Sequence, residues 1–178
     1  MTLEAAAMAD VAAIVGLVES AFRGHASRAG WTTEADLLDG RRTGPDEISA
    51  VLAHPDQRIL VERDPAGGLL ASVVLKRDGD AAWLGMLAVR PTRQGSGLGK
   101  QVVAEAEQWV RQNWQASRMR MTVIVQREEL IAWYERRGYR RTGETAPFFY
   151  GDERFGLPKR NDLSFVVLEK PLPPPSAA

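Results

Sequence analysis

The most informative segment of the chain lies at residues 87–100 and reads Leu87-Ala88-Val89-Arg90-Pro91-Thr92-Arg93-Gln94-Gly95-Ser96-Gly97-Leu98-Gly99-Lys100. Apolar residues up to Val89 are typical of a strand, and Pro91 has no amide hydrogen to continue a strand ladder. Three alternating glycines before a helix let the backbone approach a ligand and direct several N–H groups at one point, where the helix dipole favours negative charge. The segment predicts a pyrophosphate site, although a glycine-rich helix entrance also serves tight packing alone.

Two other phosphate-binding motifs fail on spacing. A Walker A loop needs Gly, four residues and then Gly-Lys-Ser or Gly-Lys-Thr, whereas Gln101 follows Lys100 and position 94 is not glycine. The Rossmann fingerprint needs glycines at relative positions one, three and six, but the sixth position after Gly95 is Lys100. Neither motif describes this loop.

Outward from the loop, the periodicity of apolar residues predicts a helical N-terminal part, an antiparallel run of strands, and then strand-helix-strand-helix-strand. This order indicates an α/β protein with a mixed sheet and helices on its faces. The predicted strands cover residues 3–7, 58–63, 69–77, 81–89, 119–125, 139–143 and 163–169. The predicted helices cover a segment capped by Asp10 and ending near Gly24, a capping-box helix at 33–38, and segments at 45–52, from 99 onward, and at 128–137.

The length of 178 residues suits a single domain, which we expect to span residues 1–170 and to be followed by a Pro-rich disordered tail at 171–178. The 44% hydrophobic and 26% charged content is typical of a globular protein. Zero cysteines exclude disulfides, thiolate metal sites and a cysteine nucleophile. Since the two histidines, His25 and His54, lie far apart in sequence, we also expect no metal.

Lys plus Arg and Asp plus Glu both number 23, so no global positive field exists to hold nucleic acid, and we expect no such partner. Residues 1–80 hold 8 basic and 13 acidic side chains, and residues 81–178 hold 15 and 10. These charges are either those of ordinary solvated faces, or the basic half contacts a phosphorylated ligand and the acidic half contacts a cation. The apolar stretch at 12–18 is too short to span a bilayer, so a cytoplasmic location without membrane contact is expected.

The glycine loop resembles the Gln/Arg-x-x-Gly-x-Gly/Ala signature of the GNAT superfamily of acyl-CoA-dependent N-acetyltransferases. The segment Leu130-Ile131-Ala132-Trp133-Tyr134-Glu135-Arg136-Arg137-Gly138-Tyr139 is similar to a later helix of that family, where an aromatic-Tyr pair precedes Gly-aromatic. The order of elements fits the family from about residue 3 to residue 170. The resemblance implies a mostly antiparallel, splayed central sheet of about six to seven strands flanked by helices.

The resemblance also implies acetyl-CoA as cosubstrate, with its pantetheine arm in a gap beside a bulge near Val89. By position, the backbone of Leu87 and Val89 would bind that arm. Tyr134 would be the general acid that protonates the departing thiolate. Arg127 replaces an Asn of many relatives and is expected to pair with a phosphate. The pyrophosphate would bind the amides of Gln94, Gly95, Ser96, Gly97, Leu98, Gly99 and Lys100.

These observations predict an N-acetyltransferase that moves an acetyl group to a primary amine of a small molecule or peptide by direct transfer in a ternary complex. Many relatives carry a Glu on the strand before the glycine loop, but residues 83–87 offer no carboxylate. A non-catalytic acyl-CoA-binding regulatory module therefore stays open, as does a toxin-type enzyme acting on aminoacyl-tRNA. Candidate bases are Glu19, Glu34 and Asp36, each of which also suits a surface or capping role.

Two segments are expected to shape the acceptor side, the loop at 22–33 and an aromatic insertion at 147–155. The predicted acceptor contacts are Trp31, Glu34, Phe149 and Tyr150. The insertion is too aromatic for an idle loop, and its target is the acceptor, a second copy in a homodimer, or the protein's own sheet. The basic cluster Arg136, Arg137, Arg140 and Arg141 suits either phosphate contacts or a solvated face.

Overall fold

The computed structural model describes residues 2–174. In chain order the strands are β1 (Glu4–Ala5), β2 (Leu38–Asp39), β3 (Gln57–Arg63), β4 (Leu69–Asp78), β5 (Ala81–Val89), β6 (Arg118–Ile124), β7 (Arg140–Pro147), β8 (Leu157–Pro158) and β9 (Ser164–Pro171). The α-helices are α1 (Val11–Phe22), α2 (Gly24–Ser27), α3 (Pro45–Ala53), α4 (Leu98–Trp114) and α5 (Glu128–Glu135). Short 3₁₀ turns lie at 8–10, 91–93 and 153–155.

Seven strands form one mixed sheet in the order β1-β3-β4-β5-β6-β9-β7. Every neighbouring pair in it is antiparallel except β5 and β6, which run parallel. The α/β fold with a mostly antiparallel, seven-stranded sheet flanked by helices is therefore confirmed. β2 and β8 form a separate two-stranded pair that the sequence did not predict.

The sheet opens between β5 and β6. These strands pair only where Ala81–Trp83 lies beside Arg118–Arg120, and they part beyond that point. A bulge in β5 lies beside the opening, because Met86 and Leu87 together stand opposite Val73 of β4. Met86 has a positive φ of 44°, which an L-residue adopts only under local constraint. Bulges bend and twist a strand, so this one directs the end of β5 away from β6.

Side-chain alternation along the strands divides the core between the two faces of the sheet. Ile59 and Val61 of β3 pack against α1 and α3, while Leu60 between them belongs to the cluster that contains α4 and α5. The opening between β5 and β6 therefore connects an α1/α3 face with an α4/α5 face.

Helices α1, α3, α4 and α5 and strands β3 to β7 and β9 confirm the predicted elements to within a few residues. The helix predicted at 33–38 was wrong: a turn leads there into β2. The capping box needs Asp36 to bond back to the amide of Thr33, but Asp36 lies in solvent and pairs with Arg28 instead. Leu38 is buried against the aromatic insertion and the end of β6, which holds the segment extended.

The aromatic insertion covers the protein's own sheet. Phe148 is buried and stacks on Phe165 of β9, with ring centroids 5.7 Å apart. Phe149 stacks on Phe155 at 4.1 Å, and its side chain stays 47% exposed. The insertion thus packs against the end of β6 and the beginning of β9.

The C-terminal segment continues the fold past the expected boundary at 171. Pro171 is the last residue of β9, and Leu172 is buried while its amide donates to the carbonyl of Ser117 at 2.7 Å. The rest of the predicted tail, residues 175–178, lies outside the described residues. Within residues 2–174, no helix is both long and apolar enough to cross a bilayer.

Tyr139 connects the elements that carry the α4/α5 face. Its fully buried hydroxyl donates to Oε1 of Glu107 at 2.8 Å, and Nζ of Lys170 lies 2.6 Å from Oε2 of the same carboxylate. Burial raises the pKa of Tyr139, with the Glu107 charge acting in the same direction. The ring also contacts Tyr134 of α5 edge-on at 5.6 Å. One buried acceptor therefore links α4, α5 and β9.

Glu107→Ala is expected to lower the free energy of unfolding by about 2–4 kcal/mol, because it leaves a buried hydroxyl and an ammonium without their acceptor. Urea denaturation measures the change. The control is Gln108→Ala, the next residue on α4 and exposed, which should stay within about 0.5 kcal/mol of the parent. Equal stability of the two variants would contradict the linking role of Glu107.

Candidate active site

A cavity of about 390 Å³ occupies the opening between β5 and β6. It reaches both faces of the sheet, since residues of the α1 side and of the α4/α5 side line it together. Its walls come from the end of α1 and the loops after it, the splayed parts of both strands, the glycine loop and α5: Phe22, Trp31, Thr32, Glu34, Arg42, Leu84, Gly85, Met86, Leu87, Val89, Gln94, Gly95, Gly97, Gly99, Lys100, Met121, Thr122, Val123, Arg127, Leu130, Trp133, Tyr134 and Arg137.

The glycine loop presents a row of free amides. Among the described residues, none accepts a hydrogen bond from the amides of residues 95–100, and the first internal bond of the helix runs from Gln101 to the carbonyl of Gly97. Gly95 and Gly97 have φ of 80° and 86°, a region that favours glycine. These donors lie at the positive end of the 17-residue helix α4, so the loop has the chemistry of an anion cradle.

Gln94 contributes differently from the rest of the loop. Its amide donates to the carbonyl of Pro91 and is not free. Its side-chain oxygen accepts from the amide of Trp31 at 2.9 Å, and its Nε2 donates to Thr32 Oγ1 at 2.9 Å and to the carbonyl of Val89 at 3.0 Å. A Cβ on Gly30 would lie 2.3 Å from Oε1 of this side chain, so a larger residue there would displace the Gln94 amide. Gln94 thus braces the glycine loop against the 30–32 loop.

The other loop residues divide by position. Leu87, Val89 and Lys100 line the cavity. The side chain of Ser96 instead donates to the carbonyl of Arg93, and that of Leu98 is buried in the core. For these two residues only the backbone amide is available to a ligand.

Tyr134 lies on α5 with 5% of its surface exposed, and it lines the cavity. Its hydroxyl makes no hydrogen bond with any residue in the described part of the chain. Burial raises the pKa of Tyr134 above its ordinary value of 10.0, although the charges of Arg127 and Arg137 oppose the shift. The phenol is therefore protonated at neutral pH and has a proton to donate.

A buried ion network stands behind the 31–34 loop. Glu34 is 8% exposed, and its carboxylate pairs with Arg23 through one oxygen and with Arg127 Nη1 through the other, at 3.1 Å. Burial alone would raise the pKa of Glu34, but the charges of Arg127, Arg42 and Arg23 outweigh it and hold the pKa below its ordinary value. Burial lowers the pKa of Arg127. The carboxylate is consequently ionised and has both oxygens occupied.

Arg127 therefore pairs with Glu34, and its Nη2 donates to the carbonyl of Thr32 at 2.6 Å. The predicted contact with a cofactor phosphate is not needed to explain this residue. Sequence reasoning missed Arg23 and Arg42 at this network. The sequence carried one signal for Arg23, which is a charged residue directly after the apolar end of α1. In the structure its side chain is 3% exposed.

The remaining predicted residues divide into those that line the cavity and those that lie outside it. Trp31 and Glu34 line the cavity, with the Trp31 ring 6.0 Å from Trp133, whereas Phe149 and Tyr150 lie outside it. Glu19 accepts from the amides of Arg42 and Thr43 and so holds a loop. Asp36 is exposed and does not line the cavity, which leaves Glu34 as the one lining carboxylate among the described residues.

Cationic side chains dominate the cavity. Lys100, Arg42, Arg127 and Arg137 line it against the single carboxylate of Glu34. Arg137 lies over the Trp133 ring, with Cζ 3.4 Å from the ring centroid. The potential inside the cavity is therefore positive.

Residues 15–139 match the sequence profile of the acetyltransferase (GNAT) family. No protein with a curated description matches the sequence significantly. Among solved structures, nourseothricin acetyltransferase shares 21% identity over 67% of each chain, with a TM-score of 0.56. The ribosomal-protein-S18-alanine N-acetyltransferase from Escherichia coli shares 15% identity over 96% of this chain and 93% of its own, with a TM-score of 0.70.

A mutant of the spermidine N-acetyltransferase SpeG from Vibrio cholerae shares 15% identity, covers 97% of this chain and 95% of its own, and has a TM-score of 0.67. At these identities, the structural similarities show a common fold.

Glu34→Gln is expected to lower the free energy of unfolding by about 3 kcal/mol at pH 7, because it leaves Arg23 buried without a counter-charge. The pKa of Glu34 is lower in the folded protein than its ordinary value of 4.5, so its stabilising effect is fully present above that pH. The effect is lost as the pH falls through the folded-state pKa. Urea denaturation from pH 7 to pH 3 should therefore show the two proteins converging in acid.

The matched control is Asp36→Asn, which neutralises an exposed carboxylate two residues away. Its effect should stay within about 0.5 kcal/mol at every pH. A gap between Glu34→Gln and the parent that does not narrow in acid would contradict the ion-pair account.

Proposed function

Because the chain belongs to the GNAT family of acetyltransferases, we propose that it moves an acetyl group from acetyl-CoA to a primary amine of a small molecule or peptide, directly within a ternary complex. One observation carries the proposal: the glycine loop, whose amides at residues 95–100 have no acceptor among the described residues, and the free hydroxyl of Tyr134 lie at the same cavity, which Gly95, Gly97, Gly99 and Lys100 line. An anion cradle and a proton donor at one opening in the sheet are what this transfer requires.

The residues present fit coenzyme A. The amides of residues 95–100 suit its pyrophosphate, and Lys100 and Arg137 add positive charge on the same face of the sheet. The splayed ends of β5 and β6 leave strand backbone unpaired beside Leu87 and Val89, where an extended arm can bind as an added strand.

When bound, acetyl-CoA supplies a thioester carbonyl for the amine to attack. Tyr134 holds a proton at Oη, because its raised pKa keeps the phenol protonated. In the proposed reaction it would donate this proton to the departing sulfur. The absence of cysteine excludes an acyl-cysteine route, which supports direct transfer of the acetyl group between the two substrates.

The amine must lose a proton before it reacts, and Glu34 is not a free base because two arginines occupy its oxygens. The surrounding charge serves this purpose instead. Arg42 and Arg127, which are not assigned to the pyrophosphate, outnumber the single carboxylate of Glu34 and destabilise a bound ammonium relative to the neutral amine. The proton then leaves to water, without a dedicated carboxylate base.

Tyr134→Phe is expected to lower kcat by about 10²-fold while leaving the affinity for coenzyme A unchanged, because it removes only the proton donor. Thiol release with acetyl-CoA measures the rate, and calorimetry measures the affinity. Tyr150→Phe, which removes a hydroxyl outside the cavity, should keep kcat within about threefold of the parent. A Tyr134→Phe variant with full kcat would refute the acid role.

Gly97→Ala is expected to weaken coenzyme A binding by about tenfold, because a left-handed conformation costs an L-residue about 1–2 kcal/mol and a relaxed loop misdirects the amides. The matched control is Gly16→Ala in α1, where φ is not positive and no atom lies within 4 Å of the new Cβ. Calorimetry with coenzyme A should show unchanged affinity for the control. Equal affinities of both variants would contradict the cradle.

A further inference from the structure

The two ends of the cavity lie on opposite faces of the sheet. Lys100 belongs to α4, Tyr134 to α5 and Arg137 to the turn after α5, whereas Phe22 and Met86 belong to the cluster packed under α1 and α3. If the proposed function is correct, the nucleotide enters beside the glycine loop. The amine acceptor must then approach through the other end, where Phe22, Glu34 and Arg42 form the walls.

That acceptor end carries a guanidinium without a counter-ion. Arg42 lines the cavity and is half-buried, with its Cζ 5.9 Å from the Phe22 ring centroid. Within residues 2–174, its side chain forms neither a salt bridge nor a hydrogen bond. Glu19 fixes the Arg42 backbone by accepting from its amide, so this guanidinium is held at the wall by its own loop.

The charge of Glu34 reaches Arg42, but this carboxylate forms its ion pairs with two other arginines. Arg23 and Arg127 share Glu34, each pairing with one of its oxygens, so these three side chains together carry a net charge of about +1. Arg42 adds a second. The acceptor end therefore repels an acceptor that carries only positive charge, such as a polyamine, and attracts one that brings an anion of its own.

We propose that the acceptor is an amine that also carries a carboxylate, the chemistry of an amino acid, and that Arg42 binds this carboxylate. Guanidinium and carboxylate match in geometry and form charge-assisted hydrogen bonds. The carboxylate offsets the repulsion that the ammonium meets on entry, while the remaining positive charge still favours the neutral amine. This assignment deepens the proposed function and depends on it.

Matched pairs of acceptors test the assignment in the full-length protein. Thiol release with acetyl-CoA is measured for the amino acids phenylalanine, methionine and leucine, other proteinogenic amino acids, 4-aminobutyrate, and the amines that correspond to each after removal of the carboxylate. We expect kcat/KM for the best carboxylated acceptor to exceed that of its decarboxylated partner by about tenfold or more. Equal rates, faster decarboxylated partners, or no turnover of any carboxylated amine would overturn the assignment.

Arg42→Met then locates the contact. The preference for the carboxylated member should fall by about tenfold, mainly through KM, and Arg42→Lys should restore part of it. Arg41→Ala is the control, because Arg41 is the exposed neighbour and does not line the cavity. An Arg42→Met variant that loses rate equally on both members of a pair would reduce Arg42 to a structural residue and overturn its role.

Calorimetry with coenzyme A separates failure of this inference from failure of the proposed function. If the parent binds coenzyme A but shows no carboxylate preference, the acceptor class is wrong and the transferase assignment stands. If the parent gives no heat with coenzyme A, the proposed function fails at the cradle and the acceptor assignment falls with it.

Discussion

The parting of β5 and β6 is the constraint on which the rest of the molecule depends. These parallel neighbours pair over three residues and then separate. Beyond that point, backbone N–H and C=O groups in the middle of the sheet lack a strand partner, which a folded protein normally avoids. The bulge at Met86 and Leu87 maintains the separation from one side. On the other side, β9 pairs with β6 along its whole length and prevents it from closing the gap. The opening is therefore a built feature of the sheet.

Around this opening, the two faces of the sheet have different chemistry. The α4/α5 face offers amides at the positive end of a helix and a protonated phenol. The amides can bind an anion, and the phenol can donate a proton. The α1 face offers a charged wall in which arginine outnumbers glutamate. Because each face is held by its own hydrophobic cluster, the two sets of groups meet only through the gap.

The sequence predicted those parts of the site whose chemistry is local. Alternating glycines after a strand, and an aromatic-Tyr pair near the end of a helix, are short-range patterns, and the structure places the glycine loop and Tyr134 at the cavity. The partners of Glu34 could not be predicted in this way, because Arg127 lies 93 positions away and meets it only through the fold. The same limit explains the wrong helix at 33–38, where a local capping pattern was overridden by burial of Leu38 against the distant insertion.

The side chain of Gln94 has a mechanical consequence. Through three hydrogen bonds with Trp31 and Thr32 it fastens the loop carrying Trp31 to the entrance of α4. A link of this kind transmits displacement in both directions by thermodynamic linkage. For the proposed function the expected consequence is that the two substrates do not bind as independent events, because one amide side chain joins the two loops that would receive them.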